Sequence, residues 1–273
     1  MGLITITSDW GENDHYSAAV KAKIYRHFPT ANIMDITHHV PLFDIGKAAY
    51  FIRNVFPHSP DGTVHIVGVN TIADKNRAHL IVCYRNQFFV GADNGVFSLI
   101  FSEEPSEVYE ITEMQDSDCF TFPSRDLFAK VAAFLASGTP PEKLGKPAQI
   151  RNRITPSSPT TSPIVRHEKN AKGQPYAEVV GVVTHIDRYE NVNTNIHRSL
   201  FEDLQSQFTH FEICRGKEPV YKISSAYSDV NESDILALFA SDGYLQIALN
   251  ESKTASLLGI KKDTLIIIRF ENR

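Results

Sequence analysis

The sequence predicts an α/β N-terminal domain with a largely parallel sheet, followed by a smaller, barrel-like all-β C-terminal domain. In the first half of the 273-residue chain, strand-like and helix-like patterns alternate, which is typical of parallel strands joined by helices. The second half carries short, turn-bounded apolar runs without helical stretches between them, which favours a small barrel or sandwich. A stretch rich in Pro, Ser and Thr separates the halves. We therefore predict domains at 1–150 and 176–273 and a linker at 151–175.

Local patterns define the elements of the first half. Leu3–Ser8 alternates apolar and polar residues and predicts a strand that ends at Asp9. Apolar residues at helical spacing over 15–28 predict a helix with Asn13 or Asp14 as its N-cap. Further elements of both kinds are predicted: strands over 31–36, 64–69, 80–82 and 87–90, and helices that begin at the caps Asp44 and Ser124.

The second half is predicted to consist of short strands. Each run is rich in β-branched and aromatic residues and is bounded by Gly, Pro, Asn, Asp or Ser. The predicted strands cover 178–186, 209–214, 220–223, 235–239, 244–249 and 264–270.

Composition excludes several classes of protein. The net charge is −5 with scattered Lys and Arg, so no basic surface for nucleic acid or anionic membrane is predicted. No apolar run approaches the roughly 18 residues of a spanning helix, and the first residues form a strand pattern rather than a signal peptide. Cys83, Cys119 and Cys214 are far apart among apolar neighbours, which favours buried free thiols and a cytoplasmic location.

Polar residues follow several of the predicted parallel strands. They are Asp9, Asp35, Asn70, Asp93 and Asn94. Any one of them can be a helix cap or a turn former. Because ligands bind beyond the carboxyl ends of strands in open α/β sheets, polar residues at four strand ends together favour a ligand site there. No metal site is expected, because no histidine has a ligand spacing with Cys or carboxylates.

An ordered set of motifs extends over nearly the whole chain. It comprises SDWG at 8–11 with Asp14, DITH at 35–38, GTVH at 62–65, DNG at 93–95, RD at 125–126, Asp187 with Asn191, TNI at 194–196, and SDG at 241–243 with Asn250. In order and spacing the set resembles the S-adenosyl-L-methionine (SAM) hydrolases (adenosine-forming), also called SAM hydroxide adenosyltransferases, and the related SAM-dependent chlorinases and fluorinases. The resemblance implies a homotrimer that holds SAM between the N-terminal domain of one subunit and the C-terminal domain of the next.

The resemblance also implies which residues bind the substrate. By this correspondence, Asp9 binds the ribose hydroxyls, Asp14 and Asp187 bind the ammonium group of the methionine part, and Ser241 binds its carboxylate. Phe43 packs on the ligand, Tyr227 stacks on adenine, and Asn191 forms hydrogen bonds with the edge of the adenine ring. A carboxylate suits a vicinal diol and an ammonium group because it only accepts hydrogen bonds. Asp242 departs from the halogenase pattern, since it cannot pair with a carboxylate.

The reaction of the family is displacement at the ribose C5′ with methionine as a neutral leaving group. The Asp, Arg and His that activate water in the hydrolases fall on Asn70, Arg77 and Pro123, so only Arg77 is retained. Ser124 matches a serine that contacts halide in the fluorinases. We therefore expect Asn70, Arg77 and Ser124 at the catalytic position, with no cofactor besides the substrate SAM.

Three functions follow as alternatives. The first is a divergent SAM hydrolase that releases adenosine and L-methionine, with Asn70 and Arg77 positioning the water. The second is a halide-using adenosyltransferase in which Ser124 binds the anion, although the short stretch between Arg77 and Asp93 lacks the insertion of fluorinases. The third is a catalytically silent SAM- or adenosine-binding protein.

Overall fold

The computed structural model describes residues 2–115, 120–154, 162–214 and 219–272. The chain forms two compact units, Met1–Ile154 and Thr155–Arg273. No helix within the described residues is long and apolar enough to cross a membrane.

The N-terminal unit is built on a seven-stranded sheet. Its strands are β1 (Leu3–Ser8), β2 (Asn32–Thr37), β3 (Val64–Gly68), β4 (His79–Tyr84), β5 (Gln87–Ala92), β6 (Glu107–Ile111) and β7 (Gly145–Pro147). In the spatial order β2-β1-β3-β5-β4-β6-β7, the first four strands are parallel. Strands β4, β6 and β7 pair antiparallel with their neighbours.

The sheet is thus mixed, with a parallel part of four strands. Arg85 and Asn86, between β4 and β5, both have positive φ angles of 48° and 60°. A two-residue turn with positive φ at both positions joins antiparallel strands, so β4 cannot run parallel to β5. The carboxyl ends of the four parallel strands lie on the same side of the sheet, which is called its carboxyl edge below. This row of strand ends positions the candidate site.

Helices cover both faces of this sheet. They are α1 (Tyr16–His27), α2 (Ile45–Arg53), α3 (Val96–Ile100), a π-helical turn (Ser124–Phe128) that continues into α4 (Ala129–Ala136), and short 3₁₀ turns at Phe56–His58 and Pro141–Lys143. Apolar residues of α1 and α4 pack in one core cluster, and those of α2 and α3 pack in another.

The structure corrects two of the predicted helix caps. The N-cap of α1 is His15 without a side-chain bond, so neither Asn13 nor Asp14 caps that helix. Pro123 occupies the N-cap of the π-helical turn, and Ser124 lies inside the turn rather than capping it. The cap at Asp44 is confirmed, because its side chain accepts a hydrogen bond of 2.8 Å from the Lys47 backbone N–H.

The C-terminal unit consists of antiparallel strands in a curled half-barrel. Its strands are β8 (Ile164–Lys169), β9 (Pro175–Ile186), β10 (Val192–His197), β11 (His210–Cys214), β12 (Ile235–Phe239), β13 (Tyr244–Leu249) and β14 (Leu265–Glu271), with helices α5 (Arg198–Gln205) and α6 (Thr254–Leu258) and a 3₁₀ turn at Tyr227–Asp229. The long strand β9 pairs with β14 and β8 over its first part and with β10 over its last part, so it belongs to both halves of the sheet.

Three predictions for this region differ from the structure. The sequence predicts no helical stretch between these strands, but α5 lies between β10 and β11. Residues 220–223 form only isolated bridges, from Val220 to Ile213 and from Ile223 to Ala237, instead of a strand. Strand β8 lies within 151–175, where the sequence predicts an irregular linker. The pattern does not reveal this strand, because its last four residues are polar and exposed and show no apolar alternation.

Cys83 is the free thiol that the structure describes, and it is buried in β4. Burial raises its pKa to about 12, with a further contribution from the carboxylates of Glu107 and Glu142. A thiol with this pKa stays protonated near neutral pH and is therefore unreactive. Cys119 and the side chain of Cys214 lie outside the described part of the chain.

His65 in β3 is buried inside the sheet with hydrogen bonds at both ring nitrogens. Its Nδ1 lies 2.7 Å from Thr5 Oγ1 and its Nε2 lies 2.6 Å from Gln87 Oε1, while the ring stacks on Phe89. Burial lowers its pKa from 6.5 to about 4. The imidazole is therefore neutral in the folded protein at neutral pH.

This pKa shift predicts a loss of stability in mild acid. The unfolded state binds a proton at His65 below about pH 6.5 and the folded state only near pH 4, so stability is present above pH 6.5 and lost as the pH falls. Between pH 8 and pH 5 we expect a decrease of about 2 kcal/mol in the free energy of unfolding. Urea titrations at both pH values test this, and His65→Leu should flatten the pH dependence. An unchanged dependence in His65→Leu, as expected for the exposed control His58→Leu, would contradict it.

Candidate active site

Polar side chains gather at the carboxyl edge of the parallel strands. Asp9 follows β1, Asn70 follows β3, and Asp93 and Asn94 follow β5. The exception is Asp35, which lies within β2 and forms an ion pair with Lys21. The edge is therefore built from three strand ends.

Asp9 connects the loops after β1 and β2. Its Oδ2 accepts a 2.9 Å hydrogen bond from the backbone N–H of Phe43. Phe43 has a left-handed φ of 64° and is 69% exposed. Backbone bonds from Gly11 N to His38 O and from Val40 N to Ser8 O tie the same two loops together. Since a carboxylate accepts about four hydrogen bonds, Asp9 retains capacity for a ligand beside the exposed Phe43 ring.

His38 stabilises this pair of loops through contacts with Ser8 and Trp10. Its Nδ1 lies 2.6 Å from the buried Ser8 Oγ, and its ring stacks on Trp10 at 5.8 Å. Its Nε2 is 3.2 Å from Asp35 Oδ1 but lacks the alignment of a hydrogen bond. His38 is thus a hydrogen-bonded loop histidine. Asp14 lies on the exposed bend that leads to α1.

Asn70 is held in a left-handed conformation with φ of 50°. Asn94 stabilises it, because Asn94 Nδ2 donates to the backbone carbonyls of Val69 at 3.1 Å and Asn70 at 3.0 Å. The other end of the same amide, Asn94 Oδ1, accepts from Val96 N at the start of α3. Asparagine tolerates this backbone region better than most residues.

Arg77 joins Asn70 to Asp74. Its Nη1 donates to Asn70 Oδ1 at 3.2 Å, and its Nε and Nη2 both lie 3.1 Å from Asp74 Oδ2. Asp74 Oδ1 accepts a 2.8 Å bond from Asn76 N. The pKa of Asp74 is lowered by this backbone bond first and by the charge of Arg77 next. The structure thus brings Asn70 and Arg77 together and adds the carboxylate of Asp74.

Donors outside the loop fix the segment 70–77. His79 Nε2 bonds to Thr71 O at 2.8 Å, and Asn152 Nδ2 donates to Asn76 O at 2.7 Å. Burial lowers the pKa of His79, so its ring is neutral near neutral pH. Asn152 is held in turn by the buried Asp93, whose carboxylate accepts its backbone N–H. No local pattern identifies Asn152 as part of this site, because its partner Asn76 is far away along the chain.

Ser124 is fully buried, and its hydroxyl has no hydrogen-bond partner among the described residues. It lies in the π-helical turn, which packs against β3 and β5. The preceding Phe122 contacts Trp10 edge-on at 5.5 Å, and Pro123 is buried. π-helical turns and unsatisfied buried groups are both frequent at functional sites.

Three of the expected C-terminal residues form one hydrogen-bonded group. Asp187 accepts bonds from Tyr189 N at 2.8 Å and Asn191 N at 2.9 Å, and its Oδ2 accepts from Asn191 Nδ2 at 3.2 Å. Asn191 Nδ2 is also 3.5 Å from the Tyr227 hydroxyl. Desolvation first, and the charge of Asp187 next, raise the pKa of Tyr227. Tyr227 is 42% exposed, so its ring is accessible for stacking.

Two buried amides hold this group in place and were missed by sequence reasoning. The Tyr227 hydroxyl donates to Gln246 Oε1 at 2.6 Å, and Gln246 Nε2 donates to Asn193 Oδ1 at 2.9 Å. Asn193 and Gln246 are direct cross-strand partners in the β10–β13 pairing. This contact fixes which end of the Gln246 amide faces the tyrosine.

Ser241 stands apart from this group. It is exposed in the turn between β12 and β13, where Asp242 Oδ1 accepts from Tyr244 N at 3.1 Å. In the ladder of β10 and β13, His197 pairs with Tyr244, whereas Asn191 precedes the opposite end of β10. Ser241 and Asn191 therefore lie toward opposite ends of this pairing.

Two family models match the chain. The model described as the SAM hydroxide adenosyltransferase N-terminal domain matches residues 4–145, and the corresponding C-terminal domain model matches residues 181–267. Together they include every site residue discussed above except Asn152.

Relatives of nearly equal length are also found. A protein from Thermus thermophilus named (R)-S-adenosyl-L-methionine hydrolase is 28% identical, with 96% of this chain and 97% of that protein covered. One from Salinispora tropica with the same name is 29% identical over 94% of each chain. Proteins named fluorinase match at 23–26% identity. A crystal structure of an uncharacterised conserved protein from Thermotoga maritima superimposes with a TM-score of 0.82, 30% identity, and coverage of 98% and 99%.

Proposed function

The chain belongs to the SAM hydroxide adenosyltransferase family, and on this basis we propose that it hydrolyses S-adenosyl-L-methionine to adenosine and L-methionine. Water attacks the ribose C5′, the new C–O bond forms as the C5′–S bond breaks, and the sulfur keeps the electron pair. The proton of the attacking water passes to solvent. Because the sulfonium sulfur leaves as a neutral thioether, the leaving group needs no general acid.

The hydrogen bond between Arg77 and Asn70 carries this proposal. It fixes the Asn70 amide at the end of β3, where its Oδ1 has a further lone pair for a water molecule. An amide does not accept a proton near neutral pH, so Asn70 orients the water rather than deprotonating it. Correct placement of the nucleophile in line with the C–S bond is the main requirement of this reaction.

The same edge of the sheet suits the rest of the substrate. We assign the ribose hydroxyls to Asp9, whose carboxylate is fixed by the Phe43 backbone. The exposed ring of Phe43 offers an apolar face, and an aromatic face stabilises a nearby cation by roughly 0.5–2 kcal/mol. Asp14 supplies an exposed carboxylate for the ammonium group.

We assign the adenine to the hydrogen-bonded group of the C-terminal unit. Asn191 has an amide that can pair with the base edge, and Tyr227 has an exposed ring that can stack on it. Asp187 adds a negative charge for the ammonium group, and Ser241 a hydroxyl for the carboxylate. We further propose a homotrimer in which the N-terminal unit of one subunit and the C-terminal unit of the next complete each site. Light scattering on the purified protein tests the trimer.

The main test follows the two epimers of SAM at sulfur. The relatives are named for the R epimer, so incubation of an epimer mixture should consume (R)-SAM and release equal amounts of adenosine and methionine. Asp9→Asn should raise the KM by about tenfold to a hundredfold, because charge-assisted bonds to the ribose are lost. Asp61→Asn, on an exposed turn of the same unit, is the matched control. Saturable SAM binding without any adenosine would instead identify a catalytically silent binding protein.

A second candidate function rests on Ser124. Its buried hydroxyl in the π-helical turn has no partner within the described part of the chain and can donate to an anion, which favours a halide as the nucleophile. The alignments to fluorinases span 292 to 301 positions, however, more than the 273 residues of this chain, so fluorinases carry insertions that it lacks. Formation of 5′-chloro-5′-deoxyadenosine in chloride, abolished in Ser124→Gly, would support the halide reaction over hydrolysis.

A further inference from the structure

We infer that Asp74 is a positioning residue for hydrolysis: its carboxylate holds Arg77 against Asn70 and cancels the guanidinium charge, so that the site favours neutral water over an anion. This inference rests on the proposed function. By the resemblance, the hydrolases carry the partner carboxylate at the position of Asn70. In this chain that position is uncharged, and the anion beside Arg77 comes from Asp74, four residues further along.

The contacts divide the guanidinium into two functional edges. Nε and Nη2, which form the side edge, both face Asp74 Oδ2 at 3.1 Å. Nη1 is left to donate to Asn70 Oδ1 at 3.2 Å. Because Asp74 occupies the side edge, the rotation of Arg77 is fixed and Nη1 points at the amide that orients the water.

Asp74 itself is held in place before any ligand arrives. Its Oδ1 accepts from Asn76 N at 2.8 Å, and the backbones of Asp74 and Arg77 exchange two hydrogen bonds of 3.1 Å. Asn152 fixes the turn through its 2.7 Å bond to Asn76 O. The pair is partly exposed, with 33% of the Arg77 side chain and 47% of the Asp74 side chain accessible, but these bonds preorganise it, so it loses less side-chain entropy than an ordinary surface ion pair.

The position of Asp74 excludes it as the general base. It contacts Nε and Nη2 of the guanidinium, whereas Asn70 is bound by Nη1, and the Asn76 backbone bond and Arg77 lower its pKa. A carboxylate with a lowered pKa is a poor proton acceptor near neutral pH. Its effect is therefore on charge and geometry.

The net charge around Arg77 depends on Asp74. With Asp74 present, the set of Asn70, Asp74 and Arg77 is neutral overall, so a neutral nucleophile is not disfavoured. Without Asp74, an uncompensated cation would lie beside the cationic sulfonium of the substrate. That cation would repel SAM and attract small anions such as chloride.

The test compares Asp74→Asn and Asp74→Glu with wild type and with the control Asp61→Asn. Asparagine retains the acceptor for Asn76 N, so the turn is expected to fold. In Asp74→Asn we expect the kcat for adenosine release to fall about tenfold, because Arg77 loses its fixed rotation. Activity should become inhibited by chloride when chloride replaces gluconate at constant ionic strength. Asp74→Glu should recover part of the kcat and abolish the chloride effect.

A second measurement does not depend on turnover. Calorimetry with SAM should give an affinity that varies with chloride in Asp74→Asn but not in wild type or Asp61→Asn. If wild type binds SAM but releases no adenosine, the proposed function fails, and this calorimetric difference still decides whether Asp74 keeps small anions away from Arg77. A kcat of Asp74→Asn equal to wild type, or a loss of kcat without a chloride effect and without rescue by Asp74→Glu, would overturn the inference.

Discussion

Arg77→Met is expected to lower the kcat for adenosine release by roughly 10²–10³-fold, a loss typical of removing a preorganised donor next to the reacting atoms. Methionine has a similar length and leaves the backbone turn of 74–77 intact, but it cannot donate to Asn70. The Asn70 amide is then free to rotate, and Asp74 is left without its cation. The KM for SAM should change less than the kcat, because no contact of Arg77 with the substrate is proposed.

Single-turnover measurement of adenosine by chromatography gives this value. Arg26→Met, at an exposed position of the last turn of α1, is the matched control and should retain wild-type kcat. Arg77→Lys keeps the charge but lacks the fork that contacts Asn70 and Asp74 at once, so it should lose most of the activity too. A kcat of Arg77→Met within about twofold of wild type would exclude the arginine from the reaction.

Combining Asn70→Asp with Pro123→His is expected to raise the kcat by about 10²-fold, the lower end of what an acid–base residue contributes. The two changes restore the residue types that the hydrolases use at these positions. Aspartate tolerates the left-handed backbone of position 70, and its carboxylate would face Arg77 Nη1. Pro123 precedes the π-helical turn, so a histidine there enters without breaking an internal helical bond.

The matched control for added charge is Asn32→Asp. Asn32 lies at the start of β2, and thus at the opposite end of the parallel strands from the candidate site. It should leave the kcat unchanged. The double variant should also acquire a pH dependence near the pKa of histidine, which wild type lacks if Asn70 only orients the water. A double variant that folds but is no faster than wild type would show that water orientation, rather than proton transfer, limits this site.

The elements that the sequence predicts best have strong local patterns. β1, β12 and β13 have the predicted bounds because each alternates or concentrates apolar residues between clear turn signals. Helix α5 was missed because Phe201 and Leu204 are its only buried residues, and five-residue α3 is too short to show a period. The antiparallel direction of β4 depends on positive φ at two ordinary residues, Arg85 and Asn86, which composition does not reveal.

For the candidate site, short-range relations are predicted and long-range relations are not. The assignment of Asn70 and Arg77 to one site follows from a motif of eight residues, and the structure shows a hydrogen bond between them. The pairing of Asn193 with Gln246 depends on strand register, and that of Asn152 with Asn76 on where the chain returns after α4. The sequence predicts Ser124 as a cap because serine prefers that position, but the preceding proline occupies the N-cap and the serine hydroxyl is buried.

The anchoring of segment 70–77 bears on how such enzymes diverge. The donors from outside the segment, Asn94, His79 and Asn152, all bind backbone carbonyls of Asn70, Thr71 and Asn76. Every residue type offers a carbonyl, so side chains here can be exchanged in evolution without loosening the loop from its scaffold. The acidic group can thus migrate from one position to another while the framework that presents it stays the same.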